Sequence, residues 1–218
     1  GIFNANFSSE EVPYSPRRQG AGLMQLHAAV STPVVVTEKE TGEAKVALKE
    51  IDDEFSFTLT ARNTSDFNVK YDVSANLQTD LQIFGVLGNA YLTGTLDQLE
   101  AAEIVDADIT INGGNSTIDV PANGSVSFEV SVDLKDALVL TVSDDEEIGY
   151  FDPEDIFPNG YFVEGYVTLI NEEVPELSVP FVGFNGDWNA APILDEFVYD
   201  GNDSFYEEAG FLYDDGEA

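Results

Sequence analysis

The sequence predicts an all-β fold: two antiparallel sheets packed as a sandwich, with a short N-terminal helical leader and an extended C-terminal tail. Three observations point there. Several stretches alternate apolar and polar residues with period two. About seven such strands are separated by turn residues at short intervals. Hydrophobic residues make up 43% of the 218 positions and aromatics 11%, which supports a buried core and argues against disorder.

Residues 1–13 are polar and irregular. "PRRQGAG" (16–22) reads as a turn, with Gly20 and Gly22 supplying permissive backbone. "LMQLHAAV" (23–30) fits about two helical turns, with Leu23, Leu26, Ala29 and Val30 on one side. Pro33 stops it, and the β-branched "VVVT" (34–37) begins a strand. In "EFSFTLTARN" the residues Phe55, Phe57, Leu59 and Ala61 share one face. In "FNVKYDVSANL" the shared face is Phe67, Val69, Tyr71, Val73, Ala75 and Leu77. "NTSD" between them has hairpin-turn chemistry. "PANG" (121–124) is the turn before "GSVSFEVSVDL", which presents Val126, Phe128, Val130 and Val132 on one face. Each of these strands buries one face and wets the other.

Residues 80–115 read as an insertion with short strands around "IFGVLGNAYLTG" and "ADITING". "DLKDALVLTV" (133–142) reads as a helical turn after a strand, and "SDDEEIGYFDPEDIFP" (143–158) as an acidic loop. "NGYFVEGYVTLI" and "LSVPFVGFNG" are apolar on both faces, so they are central or a neighbouring domain covers one face. Pro180 implies an edge or a bulge in the second. Residues 187–218 are acidic and aromatic. They read as a connector packing Trp188, Phe197, Tyr199, Phe205 and Tyr206 on a surface, or as the start of a next module. The pattern is an immunoglobulin-like or fibronectin type III-like sandwich over 31–186, with a leader at 1–30.

The net charge is -34, and only one of the eight basic residues, Lys135, lies beyond position 70. Such a surface repels phosphate backbones and anionic lipid, which excludes nucleic acid as a partner. No apolar run approaches the ~20 residues of a membrane span, so direct membrane insertion is not expected. The absence of cysteine excludes disulfides and thiolate metal sites.

Little in the chain suggests catalysis. The single histidine, His27, sits between Leu26 and Ala28 in the helical leader and reads as a packed or surface side chain. There is no G-x-S-x-G element, phosphate loop or zinc motif. No catalytic residue and no cofactor is assigned. The one ion suggested is Ca²⁺, for which Asp144, Asp145, Glu147, Asp152 and Asp155 are candidate ligands. Their spacing is not that of the helix-loop-helix calcium motif, and a solvated acidic loop is the favoured reading of the same residues.

"SPRRQGAGLMQLHAAV" resembles the closing segment of the catalytic domain in cell-envelope subtilisin-like proteinases of Gram-positive bacteria. That family includes the lactocepins and the streptococcal complement-cleaving peptidase. "PVVVT", "VPANGSVSFEVSVDL", "PNGYFVEGYVTL" and "VPFVGFNGDW" resemble strands of the fibronectin type III-like domain that follows, in the right order. "FVYDGNDSFYEEAG" resembles the connector beyond it. The loop at 143–155 is longer and more acidic than that pattern. The resemblance implies that residues 1–30 are the tail of an upstream protease domain, that the catalytic Asp, His and Ser lie before it, and that this fragment is not itself an enzyme. It also implies a secreted protein at the bacterial cell wall or surface. The partners implied are the upstream protease domain of the same chain and protein substrates. The alternative is a free-standing extracellular adhesion or calcium-binding module. An enzyme in its own right would have only the abundant carboxylates to work with.

Overall fold

The computed structural model describes residues 12–80, 82–87, 90–95, 101–142 and 148–190. Two short helices, α1 (Pro16–Gln19) and α2 (Leu26–Ser31), form the leader. One sheet has four strands in the order β1 (Val34–Glu38), β3 (Glu54–Asn63), β11 (Ser125–Asp133), β9 (Asp108–Ile111). The second sheet is built around β14 (Tyr161–Ile170). On one side β14 pairs with β15 (Leu177–Asn185), which in turn pairs with β2 (Val46–Ile51). On its other side lie β4 (Val69–Ala75), flanked by β10 (Thr117–Val120), and then β5 (Gln78–Asp80). From β5 the sheet extends through β8 (Ala101–Val105), β12 (Leu138–Val142) and β13 (Ile148–Phe151). β6 (Gln82–Leu87) and β7 (Ala90–Thr95) form a separate hairpin.

Alternation dictates the core. Val34 and Val36, Phe57, Leu59 and Ala61, and Phe128, Val130 and Val132 point inward from the first sheet. Val69, Tyr71 and Val73, Val163, Val167 and Leu169, and Phe181 meet them from the second. The Phe57 and Phe181 rings lie 5.3 Å apart between centroids. Each buried Val, Leu or Phe among them contributes about 1.5–3 kcal/mol through burial.

Three expectations are corrected here. Strands β3 and β4 do not form a hairpin: they lie in different sheets, and "NTSD" carries the chain across the sandwich. Period two gives each strand a buried face but does not say whether consecutive strands pair side by side or face to face. Phe67, placed on the buried face of β4 by alternation, precedes the strand and is exposed. Residues 138–142 are strand β12, not helix, because pairing with β8 and β13 overrides the local helical tendency of "LKDAL".

The crossing at 63–66 depends on Asn63, which is almost wholly buried. Its Oδ1 accepts from the Ser65 N–H at 2.9 Å and the Ser65 hydroxyl at 2.7 Å. Its Nδ2 donates to the Phe67 carbonyl at 2.7 Å and the Val120 carbonyl at 3.3 Å. Asn63→Ala strands these partners, and urea denaturation is expected to show a loss of about 2 kcal/mol.

The pairing is antiparallel except between β2 and β15, which run parallel with a register shift at Val182/Gly183. At Pro180 β15 is still an edge on this side, because β2 pairs only from Phe181 onward. The edge reading of Pro180 holds, whereas the extra residue at the register shift is Leu48 on β2 and not a residue of β15. Residues Gly1–Gly186 make one compact unit and Asp187–Ala218 a second. Within the second, Asp187 closes a turn, its carboxylate accepting from the Asn189 N–H at 2.8 Å. Phe197, Tyr199, Phe205 and Tyr206 of the connector lie outside the described residues.

Candidate functional site: a leader clamped across the sandwich

Strand β14 was expected to be central or covered by a neighbouring domain; it is central, and a segment of the same compact unit covers its outer face. Tyr161, Val163, Val167 and Leu169 face the core, so Phe162, Glu164 and Tyr166 must face outward, yet Glu164 and Tyr166 are buried. The leader covers them.

Pro16 at the start of α1 preorganises a single helical turn, and Gly20 closes it at φ 64°. This turn aims Arg17 at the sheet. Arg17 Nε donates to Glu164 Oε2 at 2.8 Å and Nη2 to Asp80 Oδ1 at 2.7 Å, with a longer bond from Nη2 to Glu164 Oε1 at 3.3 Å. The guanidinium carbon stacks 3.7 Å from the centroid of the Phe162 ring. Arg18 lies 3.6 Å from the same Asp80 oxygen. A planar fork that pairs two carboxylates while stacking on a ring is a task for arginine and not for lysine. Burial by itself would lower the Arg17 pKa, but Glu164 and Asp80 outweigh it and hold the guanidinium above its ordinary value.

Neutral bonds flank the ion pair. Gln19 Nε2 donates to the Tyr166 hydroxyl at 2.9 Å, and that hydroxyl lies 3.0 Å from the carbonyls of both Tyr14 and Gly20, with one proton to share between them. Gln78, fully buried, donates to the Pro13 carbonyl at 3.1 Å and accepts from Asn76 Nδ2 at 2.8 Å. Asn76 Oδ1 accepts from the Tyr166 N–H at 3.0 Å, so a side chain bridges the break between β4 and β5 where the clamp sits, with the register on β14 unchanged.

Burial pushes the ionisation of Tyr161 and Tyr166 above the usual tyrosine range. The Asp53, Glu154 and Asp152 carboxylates add to this at Tyr161, while at Tyr166 the Gln19 bond opposes it and Glu164 adds to it. Unfolded tyrosines release protons near pH 10, but these two keep theirs in the native state. Their contribution to stability is therefore intact below pH 10 and is lost as pH rises toward the folded values. Alkaline unfolding curves are expected to steepen above pH 10, and Tyr161→Phe to flatten them.

Only the leader among the sequence-selected regions forms this site. His27 is exposed on α2. Asp144, Asp145 and Glu147 lie outside the described residues. Asp152 caps α3 (Pro153–Ile156), accepting from the Glu154 N–H at 2.9 Å, and Asp155 lies within that turn. Among the described residues no cluster of three or more carboxylate or imidazole groups is close enough to share an ion. Of the aromatics beside this loop, Phe157 stacks on Tyr161 at 6.3 Å, whereas Tyr150 is exposed.

A groove of about 540 Å³ lies on the first sheet, lined by Glu54, Ser56, Asp108, Thr110, Ser131 and Asp133 among others. Register places Glu54, Asp133 and Asp108 directly opposite one another across β3, β11 and β9. Like charges in such a row repel, so Asp108→Lys is expected to stabilise the domain by about 0.5 kcal/mol at low salt, fading as salt is added.

Sequence reading found the leader but not its partners. Glu164 was the signal: a single charge inside the otherwise apolar run "YFVEGYVTLI".

A two-sheet β-sandwich that carries a flanking segment of its own chain on an outer face defines a modular β-domain. The chain belongs to the Fn3-like domain family, whose model matches residues 46–182. It is similar to the C5a peptidase of Streptococcus pyogenes serotype M1, 29% identical over 206 residues. It also resembles the PI-type proteinase of Lactococcus lactis subsp. cremoris, at 29% over 204 residues, and the PII-type proteinase of Lacticaseibacillus paracasei, at 30% over 209. These matches cover 92%, 90% and 91% of this chain but only 15%, 9% and 9% of those proteins. The relatives are bacterial peptidases and proteinases, and the present chain corresponds to a small part of each.

Proposed function

We propose that this chain is a non-catalytic accessory segment of a secreted, cell-surface subtilisin-like serine endopeptidase. The leader is the last part of the catalytic domain, and the sandwich supports that domain and offers loops to protein substrates. One observation carries this reading: the leader is held firmly to β14 at one end yet leaves Leu23, Met24, Leu26 and Val30 between 69% and 96% exposed. Four large apolar side chains in eight positions, on a segment that is otherwise well anchored, suit burial against a further domain. The peptidase names of the relatives support the same conclusion.

The coding sequence upstream of Gly1 tests the proposal directly, and a subtilisin-type catalytic domain is expected there. The 218-residue chain alone is expected to leave casein intact; cleavage by it overturns the reading.

The net charge of -34 and the acidic stretch ending at Asp155 favour a second reading, an adhesion or calcium-binding module. Calorimetry with Ca²⁺ separates the two. Strong stabilisation that is lost on replacing Asp144, Asp145 and Glu147 supports the second.

A further inference from the structure

Resting on the accessory-domain reading, we infer that Arg17 is a positioning residue. It latches the leader, and the domain that the leader closes, at one angle to the sandwich, and this angle serves substrates of protein size. Arg17 joins three things that no other described leader side chain joins: Asp80 on β5, Glu164 on β14, and the face of the Phe162 ring. Glu164 is 0% exposed under the docked leader, so a leader that lifts only far enough to break the bond, without admitting water, leaves a bare buried charge. A fork bonded to two carboxylates on neighbouring strands also resists sliding, because a shift along β14 breaks both contacts together. The leader is therefore docked or released, with little stable ground between. A short peptide occupies only a catalytic cleft. A protein substrate long enough to reach the sandwich binds well only when both surfaces are held in register.

The test uses Arg17→Met/Glu164→Leu, which removes the latch without stranding a buried charge, beside Arg17→Lys, which keeps the charge and loses the fork. In the 218-residue chain, the Arg18, Gln19 and Gly20 amides donate to the Ser15 and Pro16 carbonyls within the strapped turn. Their hydrogen exchange is expected to accelerate about tenfold or more in the double variant, while core amides at Leu59 and Val130 keep their rates. In the full-length peptidase, KM for casein is expected to rise about fivefold, with kcat/KM on a short chromogenic peptide within about twofold of wild type. Arg17→Lys is expected to fall between the two. Unchanged exchange at Arg18–Gly20 overturns the latch. Faster exchange with an unchanged KM for casein, or an equal loss on both substrates, overturns the assignment to protein-sized substrates. A gene with no peptidase upstream overturns the accessory-domain reading and the substrate assignment with it. The exchange comparison still measures the latch in that case.

Discussion

Arg17→Met is expected to destabilise the chain by about 3 kcal/mol, and its Tm to fall by roughly 9 °C. The loss comes less from the missing attraction than from what remains. Glu164 sits wholly inside, paired with Gln78 across the sheet and covered by the leader. Without the guanidinium its charge has neither water nor a partner. Arg17 itself is 23% exposed, which places the cost at the lower end of that for breaking a buried pair. Glu164→Leu in the same chain is expected to recover most of the loss, because an apolar pair of similar volume needs no compensation. Urea denaturation of the two single variants and the double variant gives the coupling as a thermodynamic cycle. Additive losses would show that the pair is not coupled.

Gly165→Ala is expected to cost about 3 kcal/mol, for a steric reason. A Cβ on Gly165 would lie 2.0 Å from the Asn76 carbonyl oxygen and 2.9 Å from the Phe181 ring. The carbonyl belongs to the break between β4 and β5, which the Asn76–Tyr166 bonds pin from both sides. The Phe181 ring is fixed in the core against Phe57. Neither neighbour can give way cheaply. The same substitution moves the outward side chains of β14, so exchange at Arg18–Gly20 is expected to rise along with the loss of stability. A variant as stable as wild type would mean that the segment between β4 and β5 yields.

Much of the sandwich was legible. Phe57, Leu59 and Ala61, Val69, Tyr71 and Val73, and Phe128, Val130 and Val132 announce their buried faces by alternation, and all nine are core residues. The apolar character of "YFVEGYVTLI" on both faces correctly required a cover. What was hidden is non-local. β2 reads weakly because "VALKEI" places Lys49 and Glu50 outward next to its few apolar positions, and parallel pairing with β15 leaves no local mark. "DLKDAL" has helical composition, yet strand β12 follows it, since partners distant in sequence decide. The clamp joins positions 147 residues apart, and no spacing rule connects them.

The clamp also fixes where the polypeptide arrives and where it departs. Pro13 rests on Gln78, and β15 ends at Asn185, opposite Tyr161. Two strand spacings sideways and three residues lengthwise separate these points, about 14 Å. The sandwich therefore works as a bracket and not as a spacer. It returns the chain near its point of entry, so that lengthening strands in this domain adds bulk without adding reach.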